Sequence, residues 1–147
     1  MYQRILIPID GSETSERALR EALKLATGNT HLRLVHVLEI PYPLDSESLA
    51  FFDYPGLQNA VKQTGERILA QAVERLKKFG LTAETALLDA NGEHIATTIA
   101  AEAENWQADL IIIGTHGRSG WSRLLLGSVA EGVERLARAP VLLVRAE

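Results

Sequence analysis

Apolar residues in this chain follow two alternating rhythms. Short unbroken apolar runs read as strands buried on both faces, and stripes of period 3.6 between them read as amphipathic helices. Arg4 to Ile9 is the first run, closed by the turn residues Asp10-Gly11-Ser12. Ser12 is placed to cap a helix carrying Ala18, Leu19, Ala22, Leu23, Leu25 and Ala26, with Gly28 where the helix would stop. Leu32 to Leu38 predicts a second strand, and Ile40-Pro41-Tyr42-Pro43 cannot continue a ladder. Residues 44 to 56 show no period. Leu57 to Phe79 carries one long helical stripe that ends at Gly80. Thr82 to Leu88 predicts a third strand with Asn91-Gly92 as its turn, and Ile95, Ile99 and Ala103 mark a helix over His94 to Trp106. Asp109 to Ile113, a helix from Ser128 to Ala137, and the strand Pro140 to Val144 complete the pattern.

Strands alternating with helices imply an α/β domain with a parallel sheet covered on both faces. The 147 residues suit one domain, and no internal repeat or linker divides them. The chain has no cysteine, which excludes disulfides, a thiol nucleophile and thiolate metal sites. The N-terminal apolar run is too short for a signal peptide, and no stretch reaches the ~18–20 apolar residues of a membrane helix. The expected location is the cytoplasm. A net charge of −4, with scattered Arg and Lys, argues against nucleic acid as the main partner.

The connection after the fourth strand is the feature richest in chemistry. Gly114 to Ser128 is long for a strand-to-helix loop, and it is bracketed by glycines. Glycine lets a backbone approach a ligand closely. Gly127-Ser128 leads directly into a helix whose first N–H groups have no intrahelical partner, a ready anion site. A chance match to the spacing G-x2-G-x9-G-[ST] in a chain this long is on the order of half a percent at average glycine usage. Neither the P-loop pattern nor the dinucleotide G-x-G-x-x-G occurs. The loop is therefore expected to hold phosphate through backbone N–H groups and the Ser128 hydroxyl. His116 suggests a general base but has no evident nucleophile or orienter. His36 and His94 have no metal-ligand spacing and read as structural.

Five segments together resemble the universal stress protein family over nearly the whole chain. They are Ile5-Leu6-Ile7-Pro8-Ile9-Asp10-Gly11-Ser12, Leu34-Val35-His36-Val37, Asp109 to Gly117, Leu125-Leu126-Gly127-Ser128-Val129-Ala130, and Pro140 to Val144. The glycine spacing is that of the family's ATP-binding branch. The resemblance implies a doubly wound, Rossmann-like five-stranded parallel sheet of order 3-2-1-4-5, with helices on both faces, in the manner of the adenine nucleotide alpha hydrolases. That order makes a topological switch point between the first and fourth strands, where open α/β sheets bind ligands.

By the same resemblance, Pro8 and Ile9 would line an adenine pocket, and the Val37 main chain would meet the adenine edge. Asp10 would bond the ribose or a phosphate-bound metal, although Asp-Gly-Ser is also a common turn. Gly114 would approach the ribose, and Gly117, Gly127, Ser128 and Val129 would hold the phosphates. Arg118 and Arg123 could pair with the outer phosphates or simply be solvated, and Trp121 could anchor the loop or face a partner. The implied ligand is ATP, accompanied by Mg²⁺, in a regulatory protein of stress adaptation that acts through a protein partner and hydrolyses ATP slowly at most. The resemblance also implies a homodimer through Val141-Leu142-Leu143-Val144, apolar on both faces at a sheet edge. An ATP-cleaving or adenylating enzyme, and an interaction module without nucleotide, remain the competing readings at this point.

Overall fold

The structure, a computed structural model, describes residues 1–40, 47, 53–116 and 126–146. Its elements run β1 (Arg4–Pro8), α1 (Glu13–Leu25), β2 (His31–Leu38), α2 (Tyr54–Lys77), β3 (Glu84–Asp89), α3 (Ile95–Asn105), β4 (Leu110–Gly114), α4 (Ser128–Leu136) and β5 (Val141–Val144). All neighbouring strands pair in parallel, in the order β3-β2-β1-β4-β5. This is the expected doubly wound sheet.

The unbroken apolar runs fall where the sheet needs them. Strands β1 and β4 lie at its centre and are buried on both faces. Ile5 and Ile7 of β1 and Leu34 of β2 point into a core closed by Ala18, Leu19 and Ala22 of α1 and by Leu69, Ala72 and Leu76 of α2. Leu6, Val35, Ile111 and Ile113 face the other way, onto Ile99 and Ala103 of α3 and Ala130 and Val133 of α4. The helices after β1 and β4 thus leave on opposite faces, which opens a crevice between those two strands.

Helix boundaries follow local hydrogen bonding. The Ser12 hydroxyl accepts from the Ser15 N–H at 3.3 Å and starts α1, with Glu13 and Glu16 in the first turn and Lys24 in the last, the signs the helix dipole favours. The helix stops at Ala26, ahead of Gly28, because the Thr30 hydroxyl takes the Thr27 N–H at 2.9 Å and offers the chain a local alternative. Helix α2 begins at Tyr54, three residues before the apolar stripe. Asp53 caps it by accepting from the Gly56 N–H at 3.0 Å, and Pro55 fits a first turn, where its missing N–H is no loss. It ends at Lys77, and Gly80 just beyond, with a φ of +74°, lets the Leu81 N–H bond back to the Leu76 carbonyl at 3.1 Å. Residues 41–46 and 48–52, including Phe51 and Phe52, lie outside the described residues.

At the amino ends of the strands a polar cluster fastens the sheet to α3. Asp109 accepts from the main-chain N–H groups of Gln3 and Arg4 at 2.7 and 2.9 Å. Arg4 donates to the Trp106 carbonyl at 2.8 Å, and its guanidinium lies 4.2 Å from the buried indole ring's centre. Arg33 faces the same ring and pairs with Glu84 at 2.7 Å and with Glu102. Burial works against the Arg33 charge, but the hydrogen bonds to Glu84 and Glu102 outweigh it and hold the group above its ordinary pKa. The hydrogen bond from Arg33 holds Glu84 below the usual carboxylate range.

Candidate functional site

A cleft of about 540 Å³ opens at the carboxyl ends of the strands, within the range of small-molecule sites. It lies at the switch point. Pro8, Ile9, Asp10, Val37, Gly114, Gly127, Ser128 and Val129 all line it, so eight of the ten residues expected at a site meet there. The other two, Gly117 and Arg118, lie outside the described residues, as do Trp121 and Arg123.

The turn after β1 and the exit of β4 both border the cleft, and they are joined by hydrogen bonds. Asp10 accepts from the Ser12 N–H at 2.9 Å, and Gly11 has a φ of +82°, so Asp10 makes the turn and also borders the cleft. The Thr14 hydroxyl donates to the His116 carbonyl, with the Ser12 hydroxyl 3.4 Å from the same oxygen. The start of α1 is thereby tied to the exit of β4. Gly114 serves this junction: a Cβ there would sit 2.4 Å from the Thr14 hydroxyl oxygen and 2.6 Å from the Thr14 carbonyl carbon.

Gly127 is the N-cap of α4, and its N–H donates to the Thr115 carbonyl at 2.6 Å. A Cβ at this position would meet that carbonyl oxygen at 2.6 Å, so only glycine fits. A glycine cap also has no side chain to accept from the first N–H groups of α4. Those donors stand at the cleft beside Ser128 and Val129, in the arrangement that attracts anions.

The opposite wall supplies a different kind of contact. Strand β1 pairs with β2 only as far as Pro8 against Val35, and the Ile9 N–H reaches the Val35 carbonyl at 2.8 Å. Groups two residues apart on a strand point to the same side. The Val37 N–H and carbonyl therefore face the side of β1 beyond its end, toward the cleft. This offers one donor and one acceptor on a buried apolar edge, with Ile95, Ile99 and Val61 nearby.

Several lining residues carried no signal of a site in the sequence. Ile95, Ile99 and Val61 read as ordinary core stripes, and Thr14 and Thr64 as helix positions. His36 is buried, and its Nδ1 donates to the Ile9 carbonyl at 2.7 Å, which holds the turn after β1. The ring is accommodated by Gly65 of α2, where a Cβ would lie 2.7 Å from the imidazole Cδ2. Among the described residues no three His, Asp or Glu side chains converge as a metal cage, and no helix is long and apolar enough to cross a membrane.

The sequence pattern of the universal stress protein family matches residues 1–145. Universal stress protein YxiE of Bacillus subtilis is 35% identical, over 99% of this chain and 100% of its own length. The solved structure of the Methanocaldococcus jannaschii protein MJ0577 superposes with a TM-score of 0.84 at 28% identity, covering 100% of this chain and 98% of that one. A universal stress protein from Archaeoglobus fulgidus, solved in complex with dAMP, superposes with a TM-score of 0.69 at 25% identity over 98% of each chain. With the sheet order, the switch-point cleft and these likenesses in agreement, the chain belongs to the universal stress protein family.

Proposed function

We propose that this protein holds an adenine nucleotide, ATP with Mg²⁺, in the switch-point cleft and acts as a nucleotide-dependent regulator in stress adaptation. The observation that carries the reading is the pairing of two unlike walls. The glycine-capped end of α4 offers N–H groups to phosphates, and the Val37 main chain offers an acceptor and a donor to a base edge. The dAMP held by the Archaeoglobus relative has both chemical ends. Pro8 and Ile9 cover the base, Gly114 lies beside the sugar, and Gly127, Ser128 and Val129 receive the phosphates, with Gly117 and Arg118 assigned there by their place in the motif. Mg²⁺ fits as a phosphate-borne ion. It is commonly held by one or two carboxylates plus phosphates and water, and Asp10 borders the cleft. Turnover is slow at most, because the cleft combines a cradle with no positioned nucleophile among the described residues.

The test is direct. Protein purified, denatured and analysed by mass spectrometry releases adenine nucleotide, and emptied protein gains thermal stability in ATP, as any ligand of the native state requires. Gly127→Val, whose side chain meets the Thr115 carbonyl, abolishes the gain. No released nucleotide and no shift in the wild-type protein would refute the assignment. The proposal extends to a homodimer through β5, the sheet's outer strand, whose Leu142 is exposed. Light scattering at micromolar concentration then gives twice the chain mass, and Leu142→Arg gives the monomer; a monomeric wild type counts against it.

A further inference from the structure

One side chain in the cleft has an unmet requirement. His116 sits at the exit of β4 and lines the cleft, and its Nε2 is buried without a hydrogen-bond partner, alone in this among the described residues. Its Nδ1 lies 2.9 Å from the hydroxyl of Thr115, a residue only 2% exposed. A buried hydroxyl places its proton on an acceptor, and this ring nitrogen is within reach of the Thr115 hydroxyl. With Nδ1 accepting from Thr115, the neutral ring carries its proton on Nε2. In that tautomer the orphan is a donor.

Its position suits one class of acceptor. A Cβ on Gly127 would lie 3.6 Å from the His116 Cα, so the ring is rooted beside the uncapped start of α4. The His116 carbonyl is held by Thr14, which fixes the backbone that carries the ring. The remaining titratable residues named along the cleft wall are Asp10, Glu39 and His36, of which His36 is committed to the Ile9 carbonyl. We propose that the His116 Nε2–H donates to a phosphate oxygen of a nucleotide seated at the N-terminus of α4, so that His116 is the side chain that distinguishes a nucleotide from its nucleoside. This rests on the nucleotide reading above. It also explains an otherwise costly buried donor: the ligand supplies its partner.

The test compares AMP with adenosine by titration calorimetry on emptied full-length protein. His116→Leu removes the donor, His116→Asn places an amide near Nδ1 only, and His116→Gln reaches the Nε2 position. Wild type binds AMP more tightly than adenosine. Leu and Asn variants lose about tenfold or more in AMP affinity, the scale of a hydrogen bond to a charged group, with adenosine within about twofold, and Gln retains most of the AMP affinity. AMP and adenosine weakening together would make the ring merely structural and overturn the proposal. So would an undiminished AMP preference in the Asn or Leu variant, or equal wild-type affinities for the two ligands. A wild type that binds neither ligand would instead defeat the nucleotide reading beneath it.

Discussion

Gly132 of α4 packs on Ala96 of α3, and both are buried. A Cβ at position 132 would lie 2.5 Å from the Ala96 Cβ, against about 3.5–4.0 Å for a comfortable carbon contact. Gly132→Ala must therefore push the two helices apart by roughly 1 Å along that line, given that spacing. Two effects compete. Alanine in a helix interior gains about 1 kcal/mol over glycine, and overpacking a tight contact costs about 1–3 kcal/mol. The steric term equals or exceeds the propensity term, and the variant loses about 0–2 kcal/mol on balance.

Ala96→Gly alone loses about 1–2 kcal/mol, from helix propensity and one buried methyl. In Gly132→Ala/Ala96→Gly the methyl only changes sides. The propensity terms cancel and the overlap disappears, so the double variant stands within about 1 kcal/mol of wild type and the coupling is about 2 kcal/mol in favour. Urea titration of the four proteins by circular dichroism measures this, and each kcal/mol also moves the thermal midpoint by about 2–4 °C in a chain of this size. The same pair of helices brings Ile95, Ile99 and Val129 to the cleft, so affinity for the proposed nucleotide drops in Gly132→Ala and returns in the double variant. Strict additivity, or a Gly132→Ala protein about 1 kcal/mol more stable than wild type as propensity alone dictates, would refute the reasoning.

Thr14→Val removes the donor to the His116 carbonyl while keeping the side chain's shape. It costs about 1–2 kcal/mol in chemical denaturation and weakens nucleotide binding in calorimetry, because the His116 backbone loses its tether. Unchanged binding would separate the tether from the site. Ser12→Ala removes the cap of α1, which costs about 1 kcal/mol in urea unfolding. Glu84 has a folded pKa below its unfolded one, so its contribution is complete above about pH 4.3 and is lost as pH falls through the folded value. Glu84→Gln is therefore less stable than wild type at pH 7, by about 0.2–1 kcal/mol for so exposed a pair. The gap closes as pH falls through the folded pKa of Glu84 in acid unfolding followed by fluorescence, and a constant gap would contradict the pairing.

Element types were legible because β1 and β4 are apolar on both faces and the helices keep their period. The edges were less so. Tyr54, Pro55 and Gly56 contribute nothing to an apolar stripe, and it is the Asp53 cap that recruits them into α2. Gly114 and Gly127 stood out in the sequence as loop glycines, but their steric partners, Thr14 and the Thr115 carbonyl, become visible only when the chain is folded. Gly65 and Gly132 gave no signal because their reasons, His36 and Ala96, come from other elements. Half of a binding wall hid in the same way. Ile95 and Ile99 obey the pattern of a buried helix face, and position along the sheet, not residue type, puts them at a cleft.

The cluster of Asp109, Arg4, Trp106, Arg33 and the two glutamates lies at the end of the sheet away from the cleft, and none of its members borders the cleft. Arg4 and Asp10 are separated by about 15–20 Å of extended chain, beyond the reach at which substitutions usually couple. The two rims can therefore diverge separately in evolution. One rim can trade ligand or partner through changes in a few loops, and the other keeps the sheet assembled during the trade.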